Sequence, residues 1–455
     1  MTRISHRWWH HIAPVVLTSL MCFGPAQKLA GQEGLAGVSR VDLGPFVIHL
    51  SGEPFRWSLH YRGELLFSQR ARGADSSLEF LDEGGWQALE GGLKSRAKTS
   101  EDASPPGDPA RSECVVQVSI AGSSRLAEVK FTWYEWSAGP VVAVSVTHPG
   151  ASAWRDDLIA PAGNFYFPAP VSAPHPGRAV ISRGPIFVLS SGGYGLLLEG
   201  GGADGARIFE TAPDILRLEV RGSHLRYLVL PGAPKQVLRL RAHLWSSFRP
   251  GDAVLPGSPV PHTVSRWKDL REVTHSKVAG ALSGRSPPTL VLALDQMDSE
   301  LALRALQVAA LQPEPLGDLV PERFGEREAL ARCFIKVHSA LGPLLKRYEG
   351  MSKSAGVGAL RPLAIEYPSD PGAWKVDDQW LLGSNLLVAP ILKAGATRRE
   401  VYIPTGNWLD LRNRETLRGP KRVTATAPIN AIPLFVKQGA AEMFRGVADV
   451  LRGCE

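Results

Sequence analysis

From about residue 38 to 248 the chain is a succession of short runs in which apolar and polar residues alternate, punctuated by Gly, Pro, Asp and Asn. VDLGPFVIHL (41–50), FRWSLHYRG (55–63), CVVQVSIAG (114–122), AEVKFTWYEW (127–136), VVAVSVTHPG (141–150), GPIFVLSSGGYGLLLEG (184–200) and LRYLVLPGAPKQVLRLRAHLW (225–245) all read this way. A period of two, rich in Val, Ile, Tyr and Trp, presents one face to a core and the other to solvent, and this many such runs predict an antiparallel β-sandwich. The polar, proline-bearing stretch 97–113 interrupts it as a loop.

Four prolines at 250, 256, 259 and 261 forbid a long helix or a central strand across 249–264, which is read as a domain boundary. Beyond it the period changes. TLVLALD (289–295) is a continuous apolar run fit for a buried strand, followed by a helix over 298–312 that starts at Asp298 or Ser299 and stops at Pro313. Leu330, Cys333, Phe334, Val337, Leu341, Leu344 and Leu345 mark a longer helix, bent at Pro343 and ended near Gly350. RPLAIEYP then reads as a strand and DPGAWKVDDQWLLG as a helix, before alternation returns in a C-terminal β-domain from Asn385, with a turn at Gly406-Asn407.

The first residues carry Arg3, His6 and Arg7, an apolar run over Ala13–Phe23 and then Gly24-Pro25-Ala26, the pattern of a secretory leader cut near Ala26. That run is too short to span a bilayer, and no later segment is long and apolar enough to do so. The expected setting is therefore secreted or periplasmic. Beyond the leader, Cys114, Cys333 and Cys454 are too few and too far apart to announce a framework, although one disulfide is open to them. No Cys/His spacing suggests a metal, and no cofactor is expected. The net charge of +7 is spread among acidic residues without a dense basic run, so a nucleic-acid partner is not expected either.

Residues 361–392, RPLAIEYPSDPGAWKVDDQWLLGSNLLVAPIL, resemble the end of the barrel in glycoside hydrolase family 31, the retaining α-glucosidases and α-xylosidases. The shared features are Arg361-Pro362-Leu363, Asp370-Pro371, Asp377-Asp378-Gln379 and Leu386–Pro390. The continuation is similar too, through Val401–Pro404, Gly406-Asn407-Trp408 with Asp410, and Ile432–Gly439. Upstream, SELALRALQVAALQP looks like the family's E-L-x-x-R-W-x-Q helix, Arg332–Tyr348 like its long helix, and Pro185–Leu198 like a strand pair of its N-terminal domain. The resemblance implies a multidomain, mostly β chain: a leader (1–26), a galactose-mutarotase-like N-terminal β-sandwich (27–260), a partial (β/α) barrel remnant (261–383) and a small C-terminal β-sandwich (384–455). It also implies retaining hydrolysis of α-O-glycosidic bonds and an α-glycoside as partner.

The middle departs from the family. A (β/α)₈ barrel takes about 250 residues, and Pro261 to Gly383 supplies 123. The family's nucleophile strand, W-x-D-x-N-E, has no counterpart here, and Arg285-Ser286 lacks the W-x-G-D that carries the family's acid. The family's R-N-H is also missing, since Glu314–Asp318 stand in its place and His338 falls mid-helix. Asp156, Asp377, Asp378 and Asp410 read as solvated or helix-capping carboxylates. Asp295, at the end of TLVLALD, is the candidate for contact with a sugar, because strand C-termini face a barrel's active site; the catalytic pair is not identified. Three readings follow: a glycosidase that works through unrecognised carboxylates or through a partner chain completing the barrel, a non-catalytic carbohydrate-binding or scaffold protein, and the product of an internal deletion with an exposed barrel edge.

Overall fold

The computed structural model describes residues 38–454 apart from 53, 71–76, 99–109, 121–123, 168–179, 183–185, 200–204, 213, 248–261, 282–289 and 318. The leader, most of the proline-rich boundary and Arg285-Ser286 lie outside the described residues.

The alternating runs form the expected sandwich. One sheet hydrogen-bonds Val38–Leu43, Phe46–Gly52, Phe55–Tyr61 and Glu64–Gln69 in sequence, and joins Ala153–Ile159, Ile215–Arg221, Ala206–Ala212 and Val180–Ser182 beyond them. The other runs Gly85–Lys98, Ala110–Ile120, Leu126–Trp136, Gly139–Thr147, His224–Pro231, Tyr194–Leu198, Ile186–Ser190 and Tyr166–Phe167. All these pairings are antiparallel. In Phe46–Gly52 every second residue is buried, as period two requires. Phe46, Trp57, Phe67, Phe131, Trp154, Tyr194 and Tyr227 fill the space between the layers. Of the predicted loop 97–113, the described ends belong instead to strands reaching Lys98 and starting at Ala110.

Two expectations fail in the sandwich. Residues 234–245 are not strand: helix α1 (Pro234–Ser247) follows a turn at Gly232, whose φ of +126° suits glycine. Proline at its first position is preorganised for a helix. Val237, Leu238, Leu240 and Leu244 bury its apolar face with Val141, Ala143, Leu228 and Leu230 of the second sheet. Asp156 is not solvated either. It sits on the core-facing phase of Ala153–Ile159 with Trp154 and Leu158 and is 1% exposed.

The segment read as a barrel remnant holds little parallel sheet among the described residues. His262–Val264 and Leu290–Leu292 pair in parallel, joined through helix α2 (Trp267–Gly280). The second strand is three residues long, and its middle residue, Val291, is 42% exposed rather than buried. Helix α3 (Ser299–Ala310) begins at the expected cap, where Leu301 N donates to Asp298 Oδ1 at 2.7 Å. Helix α4 (Glu328–Ala355) carries Pro343 inside it and runs past Gly350.

The stretch read as a strand and a helix folds otherwise. Only Leu360–Arg361 is strand; helix α5 (Leu363–Glu366), a 3₁₀ turn at Ala373–Lys375 and a second strand, Trp380–Leu382, follow. Asp377 and Asp378 therefore lie in the link before Trp380, not on a helix. Prolines 362, 368 and 371 explain the broken geometry. Six antiparallel strands make the C-terminal β-domain, in the order Leu360–Arg361, Trp380–Leu382, Leu386–Val388, Leu434–Lys437, Arg398–Asp410, Thr416–Thr426. Gly406-Asn407 is no turn but paired strand, opposite Gly419 and Arg418, just after a register shift between Ile403 and Gly406. Helix α6 (Arg445–Arg452) closes the domain, and a disulfide joins Cys454 to Cys333 of α4 with the Cα atoms 5.7 Å apart. One hydrophobic cluster runs from the outer face of the second sandwich sheet through α1–α4 into the C-terminal sheet.

Candidate functional site

In an α/β barrel, chemistry sits at the C-terminal ends of the parallel strands. At the first such end here, Asp269 of α2 accepts hydrogen bonds from Ser265 N (3.1 Å), Ser265 Oγ (3.0 Å) and Arg266 N (2.9 Å), and pairs with the Arg266 guanidinium at 3.1 Å. Desolvation opposes its ionisation, yet the Arg266 and Ser265 hydrogen bonds prevail and hold the carboxyl down at about 2. It is a helix cap, fixed as an anion.

At the second end, Asp295 stands in the 3₁₀ turn Leu294–Gln296, its side chain 87% exposed and paired with Arg323 at 2.8 Å. An exposed pair of this kind contributes at most about 1 kcal/mol. His338, as expected, is mid-helix, its Nδ1 3.2 Å from Ala310 O. Among the described residues these two ends therefore bring together no opposed carboxylates; Asp269 and Asp295 both face arginines.

The motifs of the C-terminal third are joints. Arg361 pairs with buried Glu366 at 2.6 Å and donates to Ser384 Oγ at 3.0 Å, while Lys235 of α1 reaches the same Glu366 at 2.8 Å. Gln379 acts as a stand-in strand, since its Nε2 donates to Tyr402 O at 3.0 Å and its Oε1 accepts from Tyr402 N at 2.9 Å. Asp377 faces His275 of α2 at 3.2 Å, a hydrogen bond that raises the imidazole's pKa and lowers the carboxyl's. Asp378 holds Arg399 at 2.8 Å. Asp370 accepts from Gly372 N at 3.0 Å and from the Tyr402 hydroxyl.

Gly372 has an ordinary helical φ of −69°, but a Cβ there would overlap the Tyr402 phenol. Gly372→Ala should therefore cost about 1–3 kcal/mol through overpacking alone. A shifted urea midpoint with an unchanged slope is the expected readout; an unaltered midpoint would contradict the packing assigned here.

An open groove of about 660 Å³ lies on the C-terminal domain. Leu417, Val423, Ala425 and Phe435 line it with apolar surface, and Asp410, Asn413, Glu415, Lys421, Thr424 and Thr426 with polar groups. Asp410 caps the turn through Arg412 N at 2.8 Å, and burial raises its pKa. Of these residues Asp410 and Phe435 stood out in the sequence; the polar alternation of Thr416–Thr426 was the available sign of most of the rest.

Residues 356–441 match the model of the glycosyl hydrolase family 31 C-terminal domain. Alpha-glucosidase 2 of Bacillus thermoamyloliquefaciens is 32% identical over 166 residues, covering 35% of this chain and 21% of that protein. Myogenesis-regulating glycosidase of Mus musculus is 37% identical over 113 residues, covering 24% and 16%. The chain thus spans about a fifth or less of the length of the curated relatives it matches.

Among solved structures, a family 31 sulfoquinovosidase from E. rectale superposes with a TM-score of 0.58 at 9% identity over 91% of this chain and 99% of that one. A family 31 α-xylosidase from a soil metagenome gives 0.52 at 13% over 92% and 100%. Residues 356–441 thus carry the C-terminal domain of glycoside hydrolase family 31, and the chain's mostly β, multidomain architecture is the fold of those two family 31 structures.

Proposed function

We propose that this chain binds α-linked carbohydrate and does not hydrolyse it. One observation carries the reading: the carboxylates at the parallel strand ends are spent, Asp269 as a helix cap and Asp295 as an 87% exposed partner of Arg323. Retaining hydrolysis needs two carboxyl groups about 5–5.5 Å apart across the scissile bond, one to attack and one to protonate. Family kinship and the C-terminal groove support the binding half. A groove of this size, with a mainly polar lining and some apolar surface, suits a sugar's hydroxyls and C–H face.

Titration of the full chain with isomaltotriose and maltotriose, followed by calorimetry, tests the reading. Saturable binding is expected, weakened about tenfold by Asn413→Ala or Lys421→Ala, the scale of one or two lost hydrogen bonds. Unchanged affinity in both variants would move the sugar out of the groove, and no binding would reject the proposal.

We also place the protein outside the cytosol, a setting supported by the Cys333–Cys454 disulfide and the leader-like first residues. The alternative is a partner chain that completes the barrel. Val291 favours it, because parallel strands are normally covered on both faces and this residue is 42% exposed. It predicts turnover by a co-purified complex and none by the chain alone.

A further inference from the structure

Asp156 lies between the sandwich layers, beside the Trp57–Tyr227 stack (6.5 Å between centroids) and the Phe67–Tyr194 pair (5.3 Å). Gln69 Nε2, from its own sheet, donates to Oδ1 at 3.0 Å; the Tyr227 hydroxyl, from the opposite sheet, donates to Oδ2 at 3.2 Å. The carboxyl is thus a polar tie across an apolar core.

Cations are near, but on the wrong side. Strand alternation turns the next residue, Asp157, to the outer face, where Arg217 holds it bidentately at 2.6 and 2.9 Å and Arg70 approaches to 3.8 Å. Among the described residues the groups facing Asp156 are Gln69, Ser77 and Tyr227, with Asp157 as neighbouring charge, and none of these is a cation. A fully buried carboxylate without a counter-charge is costly, so the group takes up a proton instead.

We propose that Asp156 is a proton switch built into the sandwich, a buried acid that the core tolerates when neutral and that destabilises the fold when it ionises without a counter-charge. Burial pushes the carboxyl up to about 7 and the adjacent Asp157 charge pushes the same way, against the hydrogen bonds from Gln69 and Tyr227. The folded-state value lies above the unfolded one. The stabilisation is therefore fully present below the ordinary carboxylate range, near pH 4, and is lost as pH rises through about 7. Between those limits the unfolding constant rises about tenfold per pH unit.

Two measurements on the full chain decide. A carboxyl-edited ¹³C NMR titration should give Asp156 a midpoint near 7, and urea unfolding from pH 5 to 8 should show falling stability in the wild type and a flatter profile in Asp156→Asn. Titration of Asp156 near pH 4, or parallel profiles for the two proteins, would overturn the switch. Should Asp156→Asn fail to fold, the wild-type titration alone decides.

Discussion

Arg304→Ala should lower unfolding stability by about 3–5 kcal/mol, among the largest effects of any single substitution in the C-terminal half. The side chain is 1% exposed and acts as a rivet between α3 and the loop before the last strand. Its Nη1 donates to Gln307 Oε1 at 2.9 Å and Ala431 O at 2.7 Å; its Nη2 donates to Ala427 O at 2.8 Å. Gln307 Nε2 extends the seam to Ile429 O at 2.8 Å. Truncation orphans these buried carbonyls and opens a cavity where the guanidinium packed. Arg304→Lys should cost nearly as much, since a single ammonium cannot span the fork. Urea unfolding read by Trp fluorescence checks both, and a loss under 1 kcal/mol in the alanine variant would show that the seam holds without its arginine.

Reduction of Cys333–Cys454 is the second large effect. The bond closes a loop of 121 residues, for which the chain-entropy relation gives about 5 kcal/mol, with measured disulfides spanning about 0–5. The covalent tie joins α4 to the residues after α6, so its loss should release α6 first. Thermal unfolding with and without reductant, against Cys333→Ser/Cys454→Ser, should show the same drop in Tm for reduced wild type and double variant. Identical melts in oxidising and reducing buffer would mean that the bond contributes nothing to stability.

These effects also show what the sequence could reveal. The sandwich was legible because each strand carries its own period, as in Phe46–Gly52, and burial follows it without help from distant residues. Helix α1 was missed because its start follows directly on a strand of the same apolar character, with only Gly232 and Pro234 to mark the change. Asp156 was misplaced because a lone Asp in an alternating run usually faces water; its phase with Trp154 and Leu158 was the contrary sign.

The family motifs could be recognised but not interpreted. Gln379 works on Tyr402, 23 residues away, and Arg304 on Ala431, 127 away, so their roles exist only once the chain has folded. Cys333 and Cys454 were likewise invisible as a pair until α4 and α6 met.

Arg304, Arg361, Asp370, Gln379 and Trp408 hold the joints of the C-terminal half. The parallel strands that would carry catalytic carboxylates are reduced, among the described residues, to His262–Val264 and Leu290–Leu292. Fold-stabilising contacts do not by themselves preserve a reaction, which depends on a few groups held at the right separation.

The most direct test is hydrolysis of aryl α-glucoside and aryl α-xyloside by the purified full chain, with isomaltotriose binding followed on the same sample. Saturable binding with no turnover above the enzyme-free blank is the predicted result. Turnover that disappears in Asp295→Asn would contradict it, and would make an exposed, arginine-paired carboxylate part of a working active site.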